Sequence, residues 1–88
     1  MTVEEIKEFV RDNMWCNLKY VRVGTDFVFA STEYNPPDHA SMVEPGAPVK
    51  SAAYLRVYQN HIEIEGWSMS LKIGPTFDDQ ELLEQLLL

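Results

Sequence analysis

The sequence predicts an α+β fold: an N-terminal helix, an antiparallel sheet of about five strands built from two hairpins plus one strand, and a C-terminal helix. Three observations carry that expectation. Residues 2–14 pair a capping signal with a one-sided apolar arc. Residues 54–65 align apolar and charged pairs under a single hairpin register. Residues 78–87 repeat the capping signal ahead of a leucine stripe. Both helices are expected on one face of the sheet.

The first helix begins with Thr2 as cap and Glu5 three residues later, the arrangement of a capping box. Val3, Ile6, Phe9, Val10 and Met14 then fall within an arc of about 140° at a helical period, which is the stripe of a surface helix laid on a core. Glu4, Glu5, Lys7, Glu8, Arg11 and Asp12 occupy the opposite arc. The spacings Glu4–Lys7 and Glu8–Arg11 set opposite charges one turn apart, so that face is stable in water without a ligand.

Residues 16–23 and 26–31 are rich in Val, Phe and Tyr and read as two strands. Gly24-Thr25 between them suits a type II′ hairpin, with Gly at its first central position. Two registers are open. A two-residue turn pairs Val21 with Val28; a three-residue loop pairs Val21 with Phe29 and Val23 with Phe27.

Residues 32–48 form the only long irregular segment, and four of the chain's five prolines (Pro36, Pro37, Pro45 and Pro48) lie in it. Proline interrupts both helices and ladders. Loops of this length are often functional, and the plainer reading is a connector between two hairpins.

The second hairpin reads most sharply. A two-residue turn at Gln59-Asn60 pairs Tyr58 with His61, Val57 with Ile62, Arg56 with Glu63, Leu55 with Ile64 and Tyr54 with Glu65. Apolar pairs then share one face while Arg56 stands opposite Glu63 on the other. Asn60 tolerates the left-handed conformation of such a turn. After Ile64 the apolar positions change phase to Trp67, Met69, Leu71 and Ile73. Gly66 at the break implies a bulge or tight turn into a fifth strand. The wet face would carry Tyr54, Arg56, Tyr58, His61, Glu63, Glu65, Ser68, Ser70 and Lys72.

Gly74-Pro75 ends that strand. Asp78 is the expected cap of the second helix, with Glu81 completing the box and Phe77–Leu82 as a hydrophobic staple. Leu82, Leu83, Leu86 and Leu87 make its stripe.

All of this fits one small acidic domain over residues 1–88. A mass of 10.2 kDa implies about 5,300 Å² of folded surface against about 14,800 Å² unfolded, enough burial for one core and not two. Fourteen acidic residues outnumber seven basic ones, for a formal charge of −7. That balance disfavours direct binding to a phosphate backbone or an anionic membrane and favours a basic protein partner. No apolar run is long enough to span a bilayer. The N-terminus is acidic and amphipathic, unlike a secretory signal, and Cys16 is the single cysteine; a reducing cytoplasm is the expected compartment. Beside Trp15 in an apolar stretch, Cys16 reads as a buried, inert thiol.

Three polar constellations merit weighing. His61-x-Glu63-x-Glu65 lines possible metal ligands on one strand face, but the hairpin register sets Arg56 opposite Glu63, and a guanidinium there repels a metal ion. Asp38-His39, with Ser41 and Glu44, has the residue types of a catalytic cluster and no joining signature; neither a Gly-x-Ser-x-Gly nor a His-Glu-x-x-His occurs. No cofactor is implied, and the chain does not read as an enzyme. Tyr54-x-Arg56-x-Tyr58 alternates aromatics with a cation, and Tyr20-x-Arg22 repeats the idea. Such faces stack single-stranded nucleic acid in basic proteins and anchor protein interfaces in acidic ones.

The sequence is therefore expected to encode a non-enzymatic protein-binding domain. Its partner would be basic, such as a nuclease or other nucleic-acid-handling protein, and its action that of an inhibitor of the phage anti-defence or immunity-protein type. Expected partner-binding residues are Tyr34, Asp38, His39 and Glu44 in the irregular segment, with Tyr54, Arg56, Tyr58, Glu63 and Glu65 on the sheet. The alternative is a structural or adaptor subunit forming a homodimer through Leu83, Leu86 and Leu87.

Overall fold

In a computed structural model that describes residues 1–33 and 35–88, the chain runs α1 (Val3–Asn13), β1 (Trp15–Val23), β2 (Asp26–Ser31), a 3-10 turn (His39–Met42), β3 (Val49–Tyr58), β4 (Ile62–Glu65) and α2 (Asp79–Leu87). The strands form one antiparallel sheet in the order β2-β1-β3-β4. The fold is α+β with a helix at each end, and the sheet has four strands rather than about five.

The α1 capping box is present in full: the Glu5 amide donates to Thr2 Oγ1 at 3.1 Å and the Thr2 amide to Glu5 Oε1 at 2.9 Å. Ile6 and Val10 are buried, with Val3 and Phe9 packed beside them. Met14 departs from the expected stripe. It is the C-cap at φ 75° and is exposed, because the chain must reverse there to enter β1.

The β1–β2 turn is the two-residue one, pairing Val21 with Val28 and Val23 with Asp26. Gly24 supplies the positive φ, 64°, that such a turn requires. The β3–β4 register matches the sequence pairing at all four strand positions. Beyond them, the Tyr58 amide donates to the His61 carbonyl at 2.9 Å, and the two rings stack at 4.3 Å. Asn60 makes that turn without a positive φ.

One face of the sheet carries Cys16, Leu18, Tyr20, Phe29, Leu55, Val57 and Ile62. They are buried with Ile6 and Val10 of α1 and Leu83 and Leu87 of α2. Both helices therefore cover the same face. The accessible surface, 5544 Å², is close to the value expected for one domain of this mass.

The expected fifth strand does not form. Gly66 takes φ 73° and passes so close to Tyr54 that a Cβ would lie 3.0 Å from its ring. Ser68 and Ile73 then exchange backbone hydrogen bonds at 2.8 and 3.3 Å, and the Leu71 amide donates to Ser68 Oγ. The alternating residues thus close a local turn, in which Lys72 is left-handed, instead of extending the ladder. Ser68 is buried rather than on the wet face, and Trp67 and Met69 are exposed. The chain rejoins β3 where the Ala52 amide donates to the Gly74 carbonyl at 3.3 Å.

Asp78 is the N-cap of α2, as expected, but the capping interactions differ. Asp78 lies in the helical region and makes no side-chain cap bond, and Phe77 is 99% exposed, so the expected box and staple are both absent. The physical reason is Arg22. Its Nη1 donates to Asp78 Oδ1 and Asp79 Oδ1, each at 2.9 Å, which commits both carboxylates to β1. Asp79 Oδ2 instead accepts from the Thr76 amide at 3.0 Å and so holds the turn before the helix.

Residues 35–48 lie as a strap over the other sheet face. Lys19 Nζ donates to the Pro37 carbonyl at 2.7 Å, and the 3-10 turn packs on β1 and β2. Val21 and Ala52, which point to this side, are fully buried. Among the described residues no helix is long and apolar enough to cross a membrane.

Candidate functional site

Strand pairing turns the uncovered part of this second face into three rows. Trp15 of β1 lies beside Tyr58 of β3, with His61 stacked on Tyr58. Asn17 pairs with Arg56 and Arg56 with Glu63; Lys19 pairs with Tyr54 and Tyr54 with Glu65. The strap ends the array at the third row.

Arg56 is the centre of the site. Its Cζ lies 5.4 Å from the centroid of the Trp15 ring, and its Nε donates to Asn17 Oδ1 at 3.0 Å. Its terminal nitrogens approach Glu63 and Glu65 only to 3.9 and 4.0 Å. Those are ion pairs without hydrogen-bond geometry, between side chains that remain substantially exposed, and they contribute little to stability. Beside them a depression of about 210 Å³ is lined by Asn17, Thr32, Tyr54, Arg56 and Glu65, among others.

His39 is buried at the strap's inner edge. Its Nε2 donates to the Ala53 carbonyl at 2.9 Å, and its ring meets Tyr54 edge-on at 5.2 Å. Burial holds the imidazole below its usual pKa and neighbouring Lys19 adds to the effect, while the Ala53 bond and Asp38 oppose it. Both histidines are engaged locally, since His61 Nδ1 meets Asn60 Oδ1 at 2.9 Å. The Cys16 thiol is buried on the helix side, and burial pushes it up, with Glu33 assisting. Among the described residues no three His, Cys, Asp or Glu side chains are grouped to hold a metal ion.

The expected site residues divide among several places. Tyr54, Arg56, Tyr58, Glu63 and Glu65 come together on the open face. Asp38 and Glu44 are exposed on the strap, whereas His39 is turned inward. Tyr34 lies outside the described residues. Leu83 and Leu87 are in the core of their own chain, and Leu86 is partly exposed. Tyr20 and Arg22 do not repeat the Tyr54/Arg56 pattern on the open face; they point to the helices and are buried. Trp15, Asn17 and Lys19 complete the face although sequence reasoning did not include them. Their odd-numbered phase in β1, opposite to buried Cys16 and Leu18, is the signal that could have found them.

Charge is sorted unevenly. Two of the seven Lys and Arg side chains, Lys19 and Arg22, are buried, against one of the fourteen Asp and Glu, Asp79. The expected Glu4–Lys7 and Glu8–Arg11 pairs do not close; among the described residues Arg11 instead meets Asp12, at 3.4 Å. Compared with known proteins, the chain matches no family model, no curated protein and no solved structure.

Proposed function

We propose that this chain is a non-enzymatic protein-binding domain that blocks a basic, nucleic-acid-handling protein such as a nuclease, after the manner of anti-defence and immunity proteins. The observation supporting it is the sorting of charge. Folding withdraws Lys19 and Arg22 from the surface and leaves nearly every carboxylate in solvent, so the surface is more acidic than the formal charge implies. Exposed carboxylates then stand where a partner's nucleic-acid groove would meet phosphates. They steer encounter over several ångströms and exclude the substrate once docked. Action in a reducing cytoplasm is part of the same reading, in keeping with a single buried thiol.

The test is displacement. A partner isolated from cells that encode the chain is loaded with labelled duplex DNA, and the chain is titrated in at several salt concentrations. DNA release with an association rate that falls steeply as salt rises is the expected result. An association rate indifferent to salt, or a partner that binds chain and DNA together, would remove the reading.

A further inference from the structure

We propose that the open sheet face is an arginine-docking surface on which Arg56 is an internal stand-in for a guanidinium of the partner. The inference rests on the protein-binding reading and specifies where and by what chemistry the partner is held.

Arg56 shows that a guanidinium fits between the Trp15 ring, the Asn17 amide and two glutamates. It also shows that one guanidinium from this position does not satisfy them. A good arginine–carboxylate pair closes to about 2.7–2.9 Å, often through two parallel bonds. Here the approaches are 3.9 and 4.0 Å, His61 Nε2 lies 3.8 Å from the other Glu63 oxygen, and the two glutamates remain 53% and 70% exposed. The Arg56 Nε is tied to Asn17, and its two terminal nitrogens stand short of hydrogen-bond distance from both carboxylates. The depression beside Glu65 leaves room for a second side chain to approach that carboxylate from outside. Lys19 also stands on these rows, but it is buried with its ammonium on the Pro37 carbonyl, so the exposed charges are two carboxylates and one guanidinium. That excess favours a cationic segment over a phosphate chain. A flat aromatic with paired carboxylates also matches the planar fork of arginine better than the compact ammonium of lysine.

The consequence is a sign. If Arg56 competes with the partner's arginine, removing its charge strengthens binding. If Arg56 is itself an anchor, removing it weakens binding. The probe is a labelled oligoarginine peptide, with oligolysine of equal length beside it, titrated by fluorescence anisotropy at low and physiological salt. Arg56→Met keeps the aliphatic stem over Trp15 and is checked by its unfolding midpoint.

The expected results are about three- to tenfold tighter oligoarginine binding by Arg56→Met and about tenfold weaker binding by Glu63→Gln with Glu65→Gln. Glu4→Gln with Glu8→Gln, an equal charge loss on α1, should stay within about twofold. Oligolysine should bind more weakly than oligoarginine to the unaltered chain. Weaker or unchanged binding by Arg56→Met overturns the proposal, as does an α1 variant that loses as much as the sheet variant. In that second case salt-dependent binding persists through other carboxylates, so the arginine surface falls while the acidic-inhibitor reading stands. The DNA-displacement experiment judges that reading separately.

Discussion

Replacing Asp79 by Asn is the sharpest test of how this fold is held. Asp79 has no exposed surface, and its two oxygens accept from five directions. Oδ1 receives Arg22 Nη1 at 2.9 Å, Ser51 Oγ at 3.0 Å and Thr76 Oγ1 at 2.8 Å. Oδ2 receives Tyr20 Oη at 2.6 Å and the Thr76 amide at 3.0 Å. Among the described residues no buried side-chain polar atom lacks a partner. Asn offers one acceptor oxygen, and its amide nitrogen must replace the other. In one orientation that NH₂ faces the Arg22 guanidinium, and in the other it faces the Thr76 N–H, neither of which can accept. The change also strips a buried cation of one of its two counter-charges. Breaking a buried pair by altering one partner costs about 3–5 kcal/mol. A chain of 88 residues has a total stability of only about 4–13 kcal/mol at about 0.05–0.15 kcal/mol per residue. With a urea slope of about 1–1.5 kcal/mol/M, the midpoint followed by circular dichroism should fall by more than about 2 M. A fall of less than about 0.5 M would refute the claim that this carboxylate ties α2 to β1. Arg22→Met combined with Asp79→Leu should be less damaging than the sum of the two, since no fully buried charge is left unpaired and Asp78, the other partner of Arg22, still reaches water.

Two further outcomes follow from the same geometry. Leu55→Ala removes a leucine buried between α1, α2 and the sheet, and should cost about 2–5 kcal/mol in urea unfolding; a cost under about 0.5 kcal/mol would place Leu55 outside the core. Acid should act in two windows, read by amide hydrogen exchange and chemical shifts. His39, flanked by Lys19 from β1, Asp38 on the strap and the Tyr54 ring from β3, is held below its ordinary 6.5. Its contribution is therefore full above pH 6.5 and is lost as pH falls through the lower folded value, loosening the strap first. For Asp79, burial pushes the carboxyl up but the hydrogen bonds from Tyr20, Thr76 and Ser51 outweigh it, so its pKa is lowered; Arg22 and Thr76 take Asp78 to about 2. Their contribution is present above pH 3.8 and is lost as pH falls below it, through about 2 for Asp78. His39→Gln, which keeps a donor for the Ala53 carbonyl, should abolish the upper window alone.

What the sequence made legible, and what it hid, divides along a physical line. The α1 capping box and the β3–β4 register were readable because each is decided by residues close in sequence: Thr2 with Glu5, and Arg56 with Glu63 across a two-residue turn. At α2 the position of the N-cap, Asp78, was readable but its side-chain capping was misread, because Asp78 and Asp79 answer to Arg22, more than fifty residues away. The stretch after Gly66 has the alternation of a strand, yet Ser68 closes it into a turn through its own side chain, a competition that periodicity does not register. On the site, the Tyr54/Arg56/Tyr58 and Glu63/Glu65 rows were legible from strand alternation alone. The inward turn of His39 was not, since nothing in residues 32–48 specifies which side chain meets the sheet.

The buried ions and the open face are two sides of one strand, and each constrains the other. In β1 the even-numbered residues Cys16, Leu18, Tyr20 and Arg22 enter the core, and the odd-numbered Trp15, Asn17 and Lys19 lie on the opposite face. A slip of one position would exchange these sets completely. Leu18 and Tyr20 alone would resist it by their apolar surface. Arg22 resists it by specific chemistry, because only in the native register does its guanidinium reach Asp78 and Asp79. A buried ion pair is weak evidence of stability for its own sake, but it is well suited to specifying register. The register it specifies is the one that sets Trp15 and Asn17 around Arg56. A variant that relaxes the Arg22 network without unfolding the chain should therefore also blur the open face, and oligoarginine affinity should fall together with the unfolding midpoint.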